Sequence, residues 1–523
     1  MQYITIFHAN LNYAYLTPDR YEFVIRTAYE MTIDTMSEVF PDTPYVFEAS
    51  GYTIEEIAKR TPDVLEKLGA AIASGQCEFM GSPYAHPMLP NFPEEDGLWS
   101  LKSSMAAYEK YLGLRPVSFW NPECGWRDYV PRQVVDAGYR NLVADFEAYS
   151  VARRPDGTPQ RPEIYAVEHT DEKRFYNFGF KYDLPGDEPA LHFPFKRTQG
   201  VGDQLTTFLR SDRVCQFGVR YFMDMEGYSL DAYLALIKKY SAQKPDEPEG
   251  ALLVFADDAE YIGTNGWFKL KFLNQPDKVF EAVSTAREKL ISLIRACEKL
   301  GRFTTFERAC TELPPLDDTL YFDEDSAWHG VQASVWAETP MARLLRPWQD
   351  RIRETLKQRA STMTPEQVER AWFHLTNSYN SDGQWPPTLP DAPHIIHPFN
   401  YRYCFENLVQ AESMVGGVDR SRLATDPVAT LKAILTPQQD LVAAKAEALM
   451  ASDDPQARDK GRQALDLIDR SRHVGSLAAS GVKVLCPDEY AMRAQALIDA
   501  RHLVGGIVIE RVSQTLGKTS SKL

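Results

Sequence analysis

Two carboxylates that follow apolar, strand-like runs are the residues of this chain best suited to chemistry. The first is Glu123, in the segment Ser-Phe-Trp-Asn-Pro-Glu-Cys-Gly-Trp-Arg of residues 118–127. The second is Asp258, which ends the run Leu-Leu-Val-Phe-Ala-Asp-Asp that begins at Leu252. To break or move a glycosidic bond, one carboxylate attacks or stabilises the sugar cation while another protonates the leaving oxygen. The pair therefore predicts chemistry at the anomeric carbon of a sugar.

The neighbours of Glu123 favour a place in a sugar site. Trp120 and Trp126 flank the acid and offer aromatic faces suited to a sugar ring. Arg127 could keep the carboxylate ionised, as a nucleophile requires. A structural alternative stays open from the residues alone, because a loop glutamate beside an arginine can equally form a simple salt bridge.

The second carboxylate has further acids beside it. Because successive side chains of a strand point to opposite faces, only one of Asp257 and Asp258 can face a site at the strand end. Glu260 could raise the pKa of its partner by like-charge repulsion, which suits a general acid that works near neutrality. Adjacent acids at a strand end also occur as helix caps and surface turns, so that interpretation stays open as well.

The elements that must position these residues alternate short apolar strands with amphipathic helices. Such alternation is typical of a parallel α/β structure, and its repetition within one long domain favours a barrel over an open sheet. Active sites of barrels lie at the carboxyl ends of the strands, where Glu123 and Asp258 would then meet. The predicted strands are Tyr3–His8, Pro44–Ala49, Cys77–Gly81, Pro116–Trp120, Asn141–Ala144, Ala190–Phe195 and Leu252–Ala256.

After residue 310 the strand signal fades and helical periodicity replaces it. We therefore expect a catalytic barrel over residues 1–310 and a helical domain over residues 311–523 that completes the substrate cleft. The predicted helices of the second domain are Met341–Arg359, Pro365–Leu375, Asn400–Val415, Leu431–Met450, Arg458–Arg472 and Tyr490–Leu516.

The composition excludes some classes of partner. The net charge of −16 argues against nucleic acid or an anionic membrane surface and suits a neutral or cationic small-molecule substrate. The seven cysteines are scattered without a Cys-x-x-Cys pair, which argues against a disulfide framework or a zinc site. The chain starts directly in a strand and contains no apolar run of the ~18 residues that span a bilayer, so the sequence predicts a cytoplasmic protein.

These motifs together resemble glycoside hydrolase family 57, which contains α-amylases, 4-α-glucanotransferases, amylopullulanases and branching enzymes. Trp120-Asn-Pro-Glu123 is similar to the family's third motif, and Asp258-Ala-Glu-Tyr-Ile-Gly263 is similar to its fourth. The resemblance implies a distorted (β/α)7 barrel followed by a helical region, retaining chemistry, and no metal or other cofactor. It also implies that Glu123 is the nucleophile and Asp258 the general acid/base, a role that passes to Asp257 if the register is one residue off.

Weaker resemblances extend to other segments. Residues 50–55 are similar to the second motif, and residues 76–89 resemble the next strand with its sugar-site loop. The segment Ser-Asp-Gly-Gln-Trp of residues 381–385 loosely matches the fifth motif. The resemblance therefore implies that the substrate contacts include Glu78, Asp382 and Trp385. Arg127 and Glu260, which lie beside the two carboxylates, are expected substrate contacts as well.

Aromatic side chains of the second domain could roof the cleft. Trp336 is such a candidate, with Trp328 and Trp385, although core packing is an equally good explanation of a tryptophan. A roof that excludes water favours transfer to a sugar hydroxyl over hydrolysis. The sequence therefore favours transglycosylation.

The first motif departs from the family. The chain reads His8-Ala-Asn10-Leu-Asn12, where the family usually places two histidines, as His-x-His-Gln-Pro or His-x-His-Leu-Pro. We interpret His8 as a donor to substrate hydroxyls and Asn10 as a neutral substitute for the second histidine. A lone histidine at a strand end can also be purely structural. The departure leaves the identity of the sugar at that subsite open.

The sequence thus predicts a retaining enzyme that acts on α-1,4-glucans such as maltodextrin, glycogen or starch, of the 4-α-glucanotransferase or α-amylase type. The alternatives are the same scaffold with altered sugar specificity, for example for an α-galactoside, or a non-catalytic glucan-binding protein. A metal-dependent deacetylase or mannosidase is a further alternative, but Asn10 stands where such a site would want a ligand. The predicted partner is an oligo- or polysaccharide, and the sequence does not fix the oligomeric state.

Overall fold

The computed structural model divides the chain into two compact units. The first comprises residues 1–12, 16–266 and 280–334, and the second comprises residues 13–15, 267–279 and 335–523. The structure describes residues 1–14, 16–160, 188–244, 246–266, 279–328, 332–337, 340–384, 398–416, 427–473, 493, 496–497, 499–500 and 503–504.

A curled, mostly parallel sheet forms the centre of the first unit. Its strands are β1 (Gln2–Ala9), β2 (Tyr45–Ala49), β3 (Cys77–Gly81), β4 (Ser118–Trp120), β5 (Asn141–Asp145), β6 (Phe195–Thr198), β7 (Thr206–Arg210), β8 (Ala251–Asp258), β9 (Arg302–Phe303) and β10 (Leu316–Leu320). Seven of them are parallel neighbours in the order β7-β5-β4-β3-β2-β1-β8. β6 pairs antiparallel with β7 and parallel with β10, and β9 pairs with the start of β1. The predicted distorted (β/α)7 barrel is confirmed.

The two strands at the ends of this series, β7 and β8, meet through a side chain. Nε of Arg210, the last residue of β7, donates to the carbonyl oxygen of Ala256 in β8 over 2.9 Å. No backbone ladder joins the two strands in the part of the chain that the structure describes. A fully buried guanidinium therefore stands where a regular barrel would close by backbone pairing.

Two of the sequence expectations are corrected here. The segment predicted as a strand at Ala190–Phe195 begins with the short helix Pro189–His192, and the strand starts only at Phe195. The missing barrel strand is Thr206–Arg210. The first unit also continues to Ser334, beyond the boundary expected at residue 310, because β10 pairs with β6.

Alternate side chains of the strands fill the inside of the barrel. Ile6, Val46 and Val143 belong to one buried core, which Phe306 and Ala309 join from the helix Phe306–Glu312. That helix follows β9, which pairs with the first residues of β1. It therefore closes the amino end of the barrel and leaves the carboxyl end for a site.

Helices with ordinary capping chemistry surround the sheet. The Ser50 hydroxyl accepts a hydrogen bond from the Thr53 backbone N–H at the start of one helix, and Gly113 ends another in a left-handed conformation with φ of 69°. The helices are α1 (Tyr21–Val24), α2 (Met31–Val39), α3 (Gly51–Arg60), α4 (Pro62–Ala73), α5 (Glu94–Leu112), α6 (Val130–Asp136), α7 (Phe146–Ser150), α8 (Pro189–His192), α9 (Asp212–Phe222), α10 (Leu230–Tyr240), α11 (Glu260–Gly263), α12 (Ala286–Glu298) and α13 (Phe306–Glu312), with a π-helical turn at Ile25–Glu30.

The second unit is helical, as predicted. The predicted helix at residues 490–516 lies largely outside the described residues. None of the described helices is both long and apolar enough to cross a membrane. The helices from the boundary onward are α14 (Ser334–Ala337), α15 (Pro340–Arg359), α16 (Pro365–Asn377), α17 (Pro398–Val415), α18 (Pro427–Met450) and α19 (Pro455–His473).

Candidate active site

The candidate site is centred on His8, near the carboxyl end of β1. The imidazole stacks on the indole of Trp120 at the end of β4, with ring centroids 4.9 Å apart and an interplanar angle of 17°. His86, in the segment after β3, lies against the same imidazole, also with centroids 4.9 Å apart. Three strand ends therefore meet around one ring.

His8 also lies between two carboxylates. Its Nδ1 contacts the Glu48 carboxylate of β2, and its Nε2 lies 3.7 Å from Oδ1 of Asp258 on β8. Burial alone would lower the pKa of His8, but the charges of Glu48, Asp258 and Glu260 outweigh it and raise that pKa from 6.5 to about 10. At neutral pH the ring is therefore an imidazolium with an N–H directed at each carboxylate.

The adjacent acids at the end of β8 point to opposite sides of the strand. Oδ2 of Asp257 accepts hydrogen bonds from Arg210 at 3.0 Å and from Gln216 at 2.9 Å, on the side away from His8. Oδ1 of Asp257 accepts the backbone N–H of Asp258 at 2.9 Å. Asp258 faces His8 and is 7% exposed. The structure therefore places Asp258, and not Asp257, at the mouth of the barrel beside His8.

Glu123 is presented by a strained turn directly after β4. Its φ is 54°, and the φ of the next residue, Cys124, is 48°. A non-glycine residue in this left-handed region costs roughly 1–3 kcal/mol, and such residues cluster at functional sites. Asn121 fixes the turn, because its Nδ2 donates to the Gly125 carbonyl oxygen at 2.6 Å. The turn holds Glu123 three residues beyond Trp120, at the barrel edge that also carries His8.

Glu260 is a buried residue that supports the loop after β1. Its Oε1 accepts the backbone N–H of Asn10 at 2.7 Å and the hydroxyl of Tyr29. Burial raises the pKa of Glu260 to about 7, against the opposing charge of His8. The side chain of Glu260 is fully buried and holds the loop, so its predicted substrate contact stays a prediction without support from this position. Asn10, one residue beyond β1, stays a predicted substrate contact.

The two tryptophans beside Glu123 are buried. Trp120 is 2% exposed and covered by the His8 ring. Trp126 is fully buried and packs on Phe322 with ring centroids 4.5 Å apart. The burial of both indoles argues against the two stacking roles, which stay predictions.

Replacing Trp126 by alanine should lower the free energy of unfolding by about 3–5 kcal/mol, because a buried indole leaves a cavity. Trp126→Phe keeps an aromatic ring against Phe322 and should cost much less. Denaturant unfolding followed by circular dichroism measures both. Trp99→Ala on α5 is the matched control, since this tryptophan is only partly buried. Equal losses for Trp126→Ala and Trp99→Ala would contradict the packing role.

Glu78 lies in the amino half of β3, away from the mouth. It is in register with Val46, two residues before Glu48. Its Oε2 accepts the backbone N–H of Glu307 in α13, the helix that closes the opposite end of the barrel, at 2.7 Å. Burial raises the pKa of Glu78 to about 7. The position of Glu78 argues against a substrate contact, which stays a prediction.

The remaining predicted contacts stay predictions. Arg127 is half-buried in the first unit. Trp336 and Asp382 are buried in the second unit, where Oδ1 of Asp382 accepts the backbone N–H of Ala14 at 2.8 Å. Trp385 lies outside the described residues.

A separate acidic group is the only one among the described residues with the spacing of metal ligands. It comprises Asp145, Glu147 and Asp212. Nη1 of Arg210 lies 2.6 Å from Oδ1 of Asp212 and 3.5 Å from Oδ1 of Asp145. Glu147 accepts hydrogen bonds from the Ser211 hydroxyl and the Asp212 backbone N–H, each at 2.9 Å, and burial raises its pKa to about 7. A guanidinium supplies the positive charge here, so the group fits a buried ion-pair network better than a metal site.

Sequence reasoning missed two residues of the site. Glu48 carries the signal that identified Asp258, an acid near the end of an apolar strand, and it is in register with His8. His86 lies in the segment 76–89, but no spacing marked it. It is buried with φ of 54°, and neither ring nitrogen has a hydrogen-bond partner within the described ranges.

Comparison with known families identifies the barrel region. The sequence profile described as glycosyl hydrolase family 57 matches residues 2–303, which include both carboxylates and His8. An α-amylase of Dictyoglomus thermophilum is 30% identical over 129 residues, 24% of this chain and 19% of that protein. A 4-α-glucanotransferase of Thermococcus litoralis is 27% identical over 151 residues, 28% of this chain and 23% of the relative. The chain thus matches less than a quarter of the length of these two relatives.

Solved structures share the fold. The 4-α-glucanotransferase of Thermococcus litoralis superimposes with a TM-score of 0.55 and 15% identity, over 79% of this chain and 59% of that one. The branching enzyme of Pyrococcus horikoshii gives a TM-score of 0.54 and 13% identity, over 83% of this chain and 94% of that one. At these identities the likeness concerns the fold alone.

Proposed function

Because the chain belongs to glycosyl hydrolase family 57, we propose that it is a retaining enzyme that cleaves or transfers α-1,4-linked glucans, of the α-amylase or 4-α-glucanotransferase type. The proposal is supported above all by the position of two carboxylates in the matched region. Glu123 follows β4 on a strained turn, and Asp258 ends β8 beside His8. The names of the α-amylase and 4-α-glucanotransferase relatives support the choice of an α-glucan.

In this mechanism Glu123 attacks the anomeric carbon and forms a covalent glycosyl-enzyme. Asp258 protonates the departing glycosidic oxygen in the same step. Asp258, now a carboxylate, then takes a proton from the acceptor, which displaces Glu123 from the sugar. Two successive inversions give net retention of configuration. Water as the acceptor gives hydrolysis, and a sugar hydroxyl gives transfer.

The decisive experiment incubates the purified protein with maltoheptaose, amylose and an α-galactoside, and then sizes and debranches the products. Longer linear chains identify disproportionation, new α-1,6 branch points identify branching, and glucose or maltose alone identifies hydrolysis. Release of galactose alone would replace the α-glucan by an altered sugar specificity, which the Asn10 departure leaves possible. Proton NMR of the first product fixes the anomeric configuration, and a β-anomer would contradict retention.

The same incubation separates an enzyme from a binding protein. Maltodextrin that binds without turnover, with an affinity that Glu123→Gln leaves unaltered, would overturn the enzymatic proposal. Turnover abolished by exhaustive chelation and restored by zinc would instead support the metal-dependent alternative. We further propose a cytoplasmic location, which the free thiols of the six described cysteines support.

A further inference from the structure

We propose that Glu48 is a positioning residue: it fixes the orientation and the charge of His8, and through His8 it acts on Asp258. The effect on the reaction rests on the function proposed above. The effect on His8 itself can be measured without any turnover.

The first support is that four side chains surround the His8 imidazole. The imidazole stacks on Trp120 and lies against His86, each with ring centroids 4.9 Å from it. The two ring nitrogens are directed at Glu48 and Asp258. The ring can therefore neither flip nor turn without losing a carboxylate partner, and Glu48 is the partner that touches it directly.

The second support is the burial of Glu48 and its contact with His8. Its side chain is fully buried on β2, in register with His8. Oε2 contacts Nδ1 of His8, while Oε1 has no hydrogen-bond partner among the residues that the structure describes. A buried carboxylate is costly unless a positive charge compensates it, and the His8 imidazolium is the cation in contact with it. Glu48 and His8 therefore form a buried ion pair in which each charge compensates the other.

The charges that act on His8 come from three elements, whereas Trp120 of β4 packs against it without a charge. Glu48 faces it from β2, Asp258 from β8 and Glu260 from α11, whereas His86 carries no charge because burial and the neighbouring His8 lower its pKa well below 6.5. Glu48 is the nearest of the three acids and makes the direct contact. Without it, burial should pull the pKa of His8 down toward the neutral range.

The imidazolium has a use in the proposed reaction. When the O–H of Asp258 gives its proton to the glycosidic oxygen, the bond from that oxygen to the anomeric carbon breaks and the carboxyl becomes a carboxylate. A positive charge at 3.7 Å stabilises that developing negative charge. His8 keeps both of its protons throughout, so the sugar and Asp258 account for the whole proton balance. Glu48 contributes only by keeping His8 charged and oriented toward Asp258.

The test replaces Glu48 by glutamine, which keeps the shape and removes the charge. Histidine-labelled protein is titrated by NMR, and the His8 signal among the ten histidines is assigned by its loss in His8→Gln. In the unaltered protein His8 should stay charged between about pH 5 and pH 8, whereas in Glu48→Gln it should titrate within that range. Glu48→Asp keeps the charge and should keep His8 protonated, and Glu66→Gln on the exposed face of α4 is the matched control.

Kinetics supply the second readout. In Glu48→Gln, kcat should fall by roughly tenfold or more between about pH 5 and pH 8 and recover on acidification. The reason is that one pH unit changes the charged fraction of His8 by up to tenfold. Glu48→Asp should follow the profile of the unaltered protein. A merely structural role of Glu48 would lower kcat by the same factor at every pH, and that result would overturn the proposal.

The NMR arm keeps the two proposals separate. A His8 that stays charged throughout in Glu48→Gln would overturn the positioning role, whatever the activity. A protein without turnover would overturn the proposed function, and the titration of His8 would still decide on Glu48. If Glu48→Gln does not fold, the double variant with His8→Gln should fold, because it removes both members of the pair. Failure of the double variant as well would contradict the pairing.

Discussion

Replacing Glu123 by glutamine should lower kcat on maltodextrin by roughly 10⁴-fold or more, while the circular dichroism and the unfolding midpoint stay those of the unaltered protein. Glutamine fits the strained turn as glutamate does, but a neutral amide cannot displace the leaving sugar and form a glycosyl ester. Steady-state release of reducing ends measures the loss. Asp128→Asn, an exposed acid five residues further on, is the matched control and should retain full activity.

A second variant identifies the role of Glu123 more sharply. Glycine adopts the positive φ of residue 123 without strain, so Glu123→Gly should fold and leave space beside the anomeric carbon. Added azide should then occupy that space and restore turnover of an activated glycoside, with a product of inverted configuration. Rescue with retained configuration, or full activity of Glu123→Gln, would remove Glu123 from the nucleophile role.

Most of the barrel strands could be predicted because they are buried on both faces. Such strands are continuous apolar runs that end in turn residues, and Cys77–Gly81 was predicted with the bounds that the structure has. The strand β8 was predicted to stop at Ala256, whereas it continues through Asp257 and Asp258. Acids of this kind remain in a strand only when tertiary partners compensate them, and Arg210 does so here.

The strand β7 shows what a local pattern cannot reveal. The segment Thr-Thr-Phe-Leu-Arg of Thr206–Arg210 ends in a charged residue and resembles a surface segment. Arg210 is nevertheless fully buried, because Asp257 of the distant strand β8 joins the nearby Asp212 to neutralise it. The segment Ala190–Phe195 gave the opposite error, since it is apolar but begins within a short helix that starts at Pro189.

The site could be predicted where strand ends determine it, and not where packing does. Strand ends brought His8 and Asp258 into contact, since the carboxyl ends of parallel strands share one edge of a barrel. The aromatic residues beside Glu123 could not be assigned in this way. A tryptophan that stacks on a sugar and one that stacks on His8 have the same local sequence, and only the tertiary structure shows that Trp120 is the latter.

The environment of Asp258 differs from that of its neighbour in the chain. The carboxyl group sits beside a cation at the mouth of the barrel, while its neighbour Asp257 is bound to Arg210 on the other side of the strand. The two acids are adjacent in the sequence, but their side chains point to opposite sides of β8. Their variants should therefore fail in different ways.

Asp258→Asn should lower kcat/KM on maltodextrin by roughly 10²–10⁴-fold, which is what general acid–base catalysis contributes. With α-maltosyl fluoride the first step should stay within about tenfold of that of the unaltered protein, because fluoride departs without a proton and only the later activation of the acceptor is lost. Single-turnover and steady-state rates on both substrates measure this selectivity. Asp257→Asn is the matched control: it weakens the Arg210 ion pair, should lower stability, and should affect both substrates by the same factor. Equal losses on both substrates for Asp258→Asn would show that Asp258 does not protonate the leaving oxygen, and selectivity in Asp257→Asn would transfer that role to its neighbour.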